Sequence, residues 1–341
     1  MDCMRNVALA LLLWSAGCSE DAPRTPVGPV GHGPAGGVFS IMSTHPAGTI
    51  VASPALSGRP FGLDISSGDV VYITRADSAR LQRVNLPSFG FVASVAVGPV
   101  PTGVAFHPSG NTAWVTNQTP GHQTSTVGVI TVSSNTQADT IPLAGNAAVV
   151  AVNPNGRRFY VSSTNGNVYA VDAVTDTIVG TLALGGTFTN GLAFHPDSIR
   201  LYASQITGGT VKEIDTRTNT VARTFAIGGS KLQGVAASKD GTELYVADEG
   251  ANVLHVVNIA SGTQDTTVAL GGGGFGVAVS RDNAQVYVSL PAGHVVKVID
   301  RASRAVVQTI QTGGTPRRLG FSVAGETAVI ADESGFVHFV Q

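Results

Sequence analysis

Short apolar runs alternate with polar turns along most of this chain, and the runs come in sets. The most regular member of each set is an apolar strand, usually built around one aromatic residue. In order these are Val70–Thr74 (VVYIT), Ala113–Asn117 (AWVTN), Phe159–Ser162 (FYVS), Leu201–Ser204 (LYAS), Leu244–Asp248 (LYVAD), Val286–Ser289 (VYVS) and Ala328–Asp332 (AVIAD). The central positions 72, 114, 160, 202, 245, 287 and 329 are separated by 42, 46, 42, 43, 42 and 42 residues. A repeat of that length belongs to radial β architectures in which each unit is one four-stranded blade.

Every central strand has a partner upstream: Pro60–Ile65, Pro101–Phe106, Val149–Val152, Gly191–Phe194, Gly234–Ala237, Gly276–Val279 and Pro316–Phe321. Their small residues suit an innermost strand, where blades converge. Turns such as Asn153–Gly156 (NPNG) and Ser238–Gly241 (SKDG) join the two strands as hairpins. Third strands end in a polar residue, as in Val168–Asp172, Val211–Asp215 and Val296–Asp300. Fourth strands such as Thr177–Leu182 and Val221–Phe225 then run into a glycine. The last unit stops after Val337–Gln341 without a fourth strand, while Gly48–Ser53 is a spare one ahead of the first unit. The pattern predicts an all-β fold, a single seven-bladed β-propeller of four-stranded antiparallel blades over residues 38–341. The N-terminal strand completes the last blade and closes the ring without leaving sheet edges.

The combination of Tyr-Val-x-Asn/Asp, V-x-V-I-D and T-x-x-V-x-x-T-I-x-x-G resembles the YVTN-type β-propeller repeat family. The resemblance covers nearly the whole chain after residue 37. Trp114 and Val329 replace the tyrosine, and Thr131 replaces the acid that ends the third strand. The resemblance implies a secreted or surface-anchored bacterial protein. It supplies no reaction, because related propellers include lactonases, lyases and electron-transfer modules.

The N-terminus is consistent with export. Arg5 precedes an apolar run, Val7–Trp14, which is too short to span a bilayer, and Ser15-Ala16-Gly17-Cys18 follows. That end resembles a bacterial lipobox, which implies a signal peptide over residues 1–17 and a lipid on Cys18. Ser15 departs from the usual leucine. Residues 18–37 are rich in Pro and Gly and cannot bury a core, so they read as a tether. The expected location is the bacterial cell envelope, at the outer membrane or cell surface, and the expected state is a monomer.

Composition narrows the chemistry. Only 12% of the 341 residues are charged and the net charge is −2, so no basic face for nucleic acid is implied. The two cysteines, Cys3 and Cys18, both precede the repeats, which excludes a disulfide framework, a thiol nucleophile and a Cys-ligated metal in the propeller. No phosphate loop, nucleophile elbow, H-E-x-x-H or haem-attachment run is present in usable context, and no cofactor or metal is expected.

Ligands of propellers gather where the loops after the second and fourth strands meet the central channel. That rule nominates Arg75, Asn117, Gln205, Asp248 and Asp332 after the central strands. It also nominates Asn190, Lys231, Gln233, Arg317 and Arg318, with Arg59, at the starts of blades. Arg318 stands out, because five units carry glycine at its place: Gly62, Gly103, Gly191, Gly234 and Gly276. A guanidinium there points to an anion contact, or to pairing with Asp332 or Asp248. His122 and His294 fall in loops on the same face, with proton transfer or metal binding as their candidate chemistry. His107 and His195 sit in hairpin turns of the opposite face. His255 and His338 lie mid-strand and are expected to point outward. The leading expectation is a lipid-anchored, non-catalytic binding or scaffolding module for an envelope protein or small polar ligand at the channel mouth. The rivals are a lactonase-like hydrolase or lyase using His122, His294, Asp248 and the arginines, and a purely structural surface element.

Overall fold

The computed structural model describes residues 45–119, 121, 124–185 and 188–341. The expected signal peptide, Cys18, the tether and His122 lie outside the described residues. Seven four-stranded antiparallel sheets follow one another along the chain. Blade 1 comprises Pro60–Ile65, Val70–Arg75, Arg80–Asn85 and Gly90–Ala96. Blades 2 to 6 begin at Pro101, Ala147, Thr189, Leu232 and Val277 and repeat the same order. In blade 7, Pro316–Phe321, Ala328–Asp332 and Phe336–Val340 are completed on the outside by Ile50–Ala52, as the sequence predicts. Ile50 pairs with Val340 and Ala52 with Phe339, and Thr49 and Gln341 exchange both backbone hydrogen bonds at 2.8 and 2.9 Å. All seven innermost strands neighbour one another in a closed ring.

The core is not central but divided among the seven seams between blades. The blade 7–blade 1 seam packs Val329, Ala331 and Phe339 against Ile65, Ile73 and Val84. Each of the other six joins one blade to the next in the same way. The central aromatics Tyr72, Trp114, Tyr160, Tyr202, Tyr245 and Tyr287 are fully buried in these seams, and burial of such a ring contributes about 1.5–3 kcal/mol.

The polar ends of the first three are satisfied by the following blade. Tyr72 donates to Asn135 Oδ1, Trp114 to Asp176 Oδ1 and Tyr160 to Asn219 Oδ1, at 3.0, 3.0 and 2.7 Å. Each acceptor is the left-handed residue of the turn between third and fourth strands, with φ of 52–53°. Asn and Asp tolerate that conformation, so one residue makes the turn and takes the bond. In blade 5 the turn residue is Gly262, which has no acceptor, and the buried Tyr202 hydroxyl has no partner among the described residues.

Backbones approach closely at the centre. A Cβ on Gly62 would lie 2.2 Å from Thr102 O, and one on Gly234 would lie 2.5 Å from Phe275 O, which accepts a bond from Gly234 N–H. The small residues of the innermost strands are therefore a steric requirement of ring closure.

Candidate functional site: the mouth of the channel

The innermost strands are irregular at their beginnings. In blades 1, 2, 3, 4, 5 and 7 the pairing register shifts there, and in blade 6 the ladder is shortened to Val277–Val279. A bulge re-aims a side chain. The residue it aims inward is the one before the glycine position. Seven residues, one per blade, form a ring at this end of the channel: Phe61, Thr102, Ala148, Asn190, Gln233, Phe275 and Arg317. They line a cavity of about 460 Å³.

The ring is uneven. On blades 6, 7 and 1, Arg317 lies between Phe275 and Phe61, with Cζ 4.9 and 5.5 Å from the two ring centres. The rings meet edge-on at 5.8 Å. On blades 4 and 5, Asn190 Nδ2 donates to Gln233 Oε1, and Gln233 Nε2 donates to Glu249. Thr102 and Ala148, the ring residues of blades 2 and 3, are the smallest of the seven.

Charge is also uneven. Glu333 is shared by Arg59 and Arg317, the latter at 2.5 Å. Burial pushes the Glu333 carboxyl up, but the two guanidinium groups outweigh it and hold the pKa below its usual value. Lys231 pairs with Glu249 at 2.8 Å. Arg318 has no carboxylate within ion-pair distance among the described residues. Its Nη2 donates to Asn190 O at 2.7 Å, and its Cζ sits 5.0 Å from the centre of Phe275. Burial and the charge of Arg317 lower its pKa to about 10. A guanidinium so placed favours an anion.

Of the residues nominated from sequence, Asn190, Lys231, Gln233, Arg317 and Arg318 line this cavity, with Arg59. The others do not. Asp248 is fully buried and accepts from the backbone N–H groups of Ser230, Lys231, Gly250 and Ala251 at 2.8–3.0 Å. Burial alone would push its carboxyl up, but these bonds and His255 hold it at about 2. Asp332 is equally buried and accepts from Thr315 and Ser334 N–H. Asn117 and Gln205 are buried and bond within their own blades or the loops leading into them. Arg75 donates to Ser57 O at 2.7 Å. His294 caps a turn with φ 58° and bonds Gly314 O through Nδ1 at 2.6 Å.

These placements correct the sequence reading by one residue. The cavity is lined not by Arg75, Asn117, Gln205 and Asp248 but by their successors Ala76, Gln118, Ile206 and Glu249. Alternation along a strand has a period of two, so an offset of one changes the side. Glu249, Glu333, Phe61 and Phe275 are the functional candidates that the sequence reading missed. Their signal was present in the acidic pairs Asp248-Glu249 and Asp332-Glu333, and in the residue preceding each glycine.

His255 and His338 were expected to face outward, but both are buried. Their Nε2 atoms lie 3.2 and 3.1 Å from Asp248 and Asp332. Ser53 Oγ stands 2.8 Å from His338 Nδ1, so Ser53, His338 and Asp332 have the composition of a catalytic triad. Blade 5 repeats the arrangement with Gln264 in place of Ser53. Both aspartates are already committed to holding loops, so the constellation is part of the blade framework. Pairing with Asp332 or Asp248 is likewise not the role of Arg318. Among the described residues, no three His, Cys, Asp or Glu side chains gather as a metal site. His107 and His195 bond Gly156 O and Gly241 O from hairpin turns.

The opposite end of the channel is a second recess of about 390 Å³, walled by apolar innermost-strand residues with Asp64, Lys239 and Arg281. Burial pushes the Asp64 carboxyl up to about 6, against the opposing effect of the Phe106 and Ile65 N–H groups and of Arg281.

No family model matches this chain. No curated protein matches it either. Among solved structures, it superposes on hydrazine synthase of Kuenenia stuttgartiensis with a TM-score of 0.77 and 18% identity, covering 86% of this chain and 98% of that one. At that identity the likeness speaks for the fold alone, and it agrees with the strand order: the chain is a seven-bladed β-propeller.

Proposed function

We propose that this chain is a cell-envelope lipoprotein of the YVTN-repeat type, anchored through Cys18, whose propeller binds a small anionic ligand without transforming it. One observation carries the binding reading: Arg318, at the floor of a ligand-sized cavity, has no carboxylate partner among the described residues. Pockets of this size with few convergent polar groups are the usual sites of small ligands. The enzyme reading loses support because His294 and Asp248 are engaged away from the cavity. The test is thermal denaturation of the purified full chain with inorganic phosphate, acetate, phenylacetate and neutral sugars. An anion that binds only the folded state raises the melting temperature. The reading requires at least one anion to do so, and requires Arg318→Met to abolish the shift. Identical shifts in the variant, or none in either protein, overturn it. Anchoring is tested separately: Cys18→Ser is expected to move the chain from the membrane to the soluble fraction.

A further inference from the structure

Three features of the mouth bear on what kind of anion it takes. The rim cations are largely paired: Lys231 is matched by Glu249, and Arg59 and Arg317 share the one carboxylate of Glu333, which leaves a single positive charge over at the rim. Arg59 is also mostly exposed, so water and salt screen its surplus charge. The charge left over in depth is the single guanidinium of Arg318. Its position against Phe275 orients a planar fork of N–H donors, which matches a planar carboxylate bidentately.

The walls above it are apolar. Phe61, Phe188, Val149, Val100 and Ile206 are only half buried and line the cavity. Half-buried apolar side chains inside a recess are covered at a gain of about 25 cal/mol per Å² when an apolar body enters. A strongly hydrated oxyanion would gain nothing from them and would lose hydration against them. On blades 2 and 3, Thr102 and Ala148 occupy ring positions that hold phenylalanine in blades 1 and 6, and fill less of the cavity than that side chain does.

We infer that the ligand of this mouth is a monocarboxylate with an apolar body, its carboxylate on Arg318 and its body on Phe61 and the neighbouring apolar wall. This inference rests on the reading of the mouth as an anion site. The experiment is calorimetric titration of the purified full chain with phenylacetate and hexanoate. Acetate, inorganic phosphate and phenylacetamide serve as controls that remove the body, change the head and remove the charge. Phenylacetate or hexanoate is expected to bind at least ten-fold tighter than all three controls. Arg318→Met is expected to lower that affinity at least ten-fold. Phe61→Ala is expected to lower it several-fold while leaving acetate unaffected, and this rim variant also serves if Arg318→Met does not fold. If acetate or phosphate binds as tightly as phenylacetate and depends on Arg318, the inference fails while the anion reading stands. If no anion binds, both fall. If phenylacetamide binds as well as phenylacetate, or neither variant changes phenylacetate binding, the inference is overturned.

Discussion

Arg318 Nη2 donates to the backbone oxygen of Asn190 at 2.7 Å, joining blade 7 to blade 4 across the channel. The two blades are as far apart as a ring of seven permits. This bond has two readings with opposite consequences. If Arg318 is a brace, its loss loosens the ring. If it is a ligand contact held in waiting, its burial among neutral acceptors is a cost, and an apolar replacement is neutral or stabilising. Arg318→Met is therefore expected to melt at the wild-type temperature or above it. A fall equivalent to more than about 2 kcal/mol identifies a brace.

Asp248→Ala is expected to destabilise by about 3 kcal/mol, because four backbone N–H groups and His255 lose a charged acceptor inside the protein. Anion binding at the mouth is expected to survive wherever the variant folds. The pH dependence has a definite sign. The folded pKa of about 2 is below the unfolded value, so this stabilisation is present above about pH 4 and is lost as pH falls toward 2. Denaturant midpoints measured across that window are expected to fall steeply for the wild type and less steeply for the variant.

Asp64 has the opposite sign. Its folded pKa of about 6 is above the unfolded value, so folding carries no penalty from it below about pH 4. The penalty grows as pH rises from 4 to 6 and is complete above that. It amounts to at most about 3 kcal/mol, at about 1.4 kcal/mol per pKa unit. Asp64→Asn keeps an acceptor for the Phe106 N–H and is expected to be more stable than the wild type at pH 7 and equal to it near pH 4. Equal stability of the two proteins at pH 7 would remove the buried-carboxyl explanation.

Two tyrosines at equivalent places are expected to respond differently to the same change. Tyr160→Phe breaks a 2.7 Å bond to Asn219 and is expected to cost about 1 kcal/mol. Tyr202→Phe removes a buried hydroxyl without a partner among the described residues, and is expected to be neutral or stabilising. Chemical denaturation of both variants, side by side, checks the contrast.

Ring closure depends on a strand of three residues, Ile50–Ala52, reinforced by Ser53 on His338 and Pro54 O on Val337. A chain beginning at residue 57 lacks these bonds and exposes the edge of Phe336–Val340. It is expected to melt well below the full chain and to self-associate, since an open edge pairs with other chains. A monomeric truncated chain of unchanged melting temperature, measured by light scattering and calorimetry, would show that the closure strand is dispensable.

The repeat made the ring readable from sequence. A spacing near 42, an aromatic in six of seven units and an orphan strand at the front specify blades, their number and the mode of closure. They do so because each blade must bury its faces against the next, and local hydrophobic pattern records that need directly. The unusual position of Arg318 was also visible, since it breaks a row of glycines whose smallness is enforced by the neighbouring backbone.

Which side chains face the channel was decided only by tertiary structure. A bulge at the start of most innermost strands turns Phe61, Gln233 and Arg317 inward, and the chain past Asp248 points Glu249 there instead. The sequence marks the second acid of each pair and the residue before each glycine, but it does not say which neighbour faces the channel, because the bulge arises where neighbouring blades crowd at the axis. The same holds for Asp248 and His255. Adjacent polar residues on neighbouring strands read alike whether they are solvated or buried, and only the packed blade converts them into a loop clamp. The sequence by itself determined a seven-bladed ring and one conspicuous arginine. The tertiary structure decided that this arginine crosses the channel to Asn190, beneath a half-apolar mouth where the acids serve its neighbours.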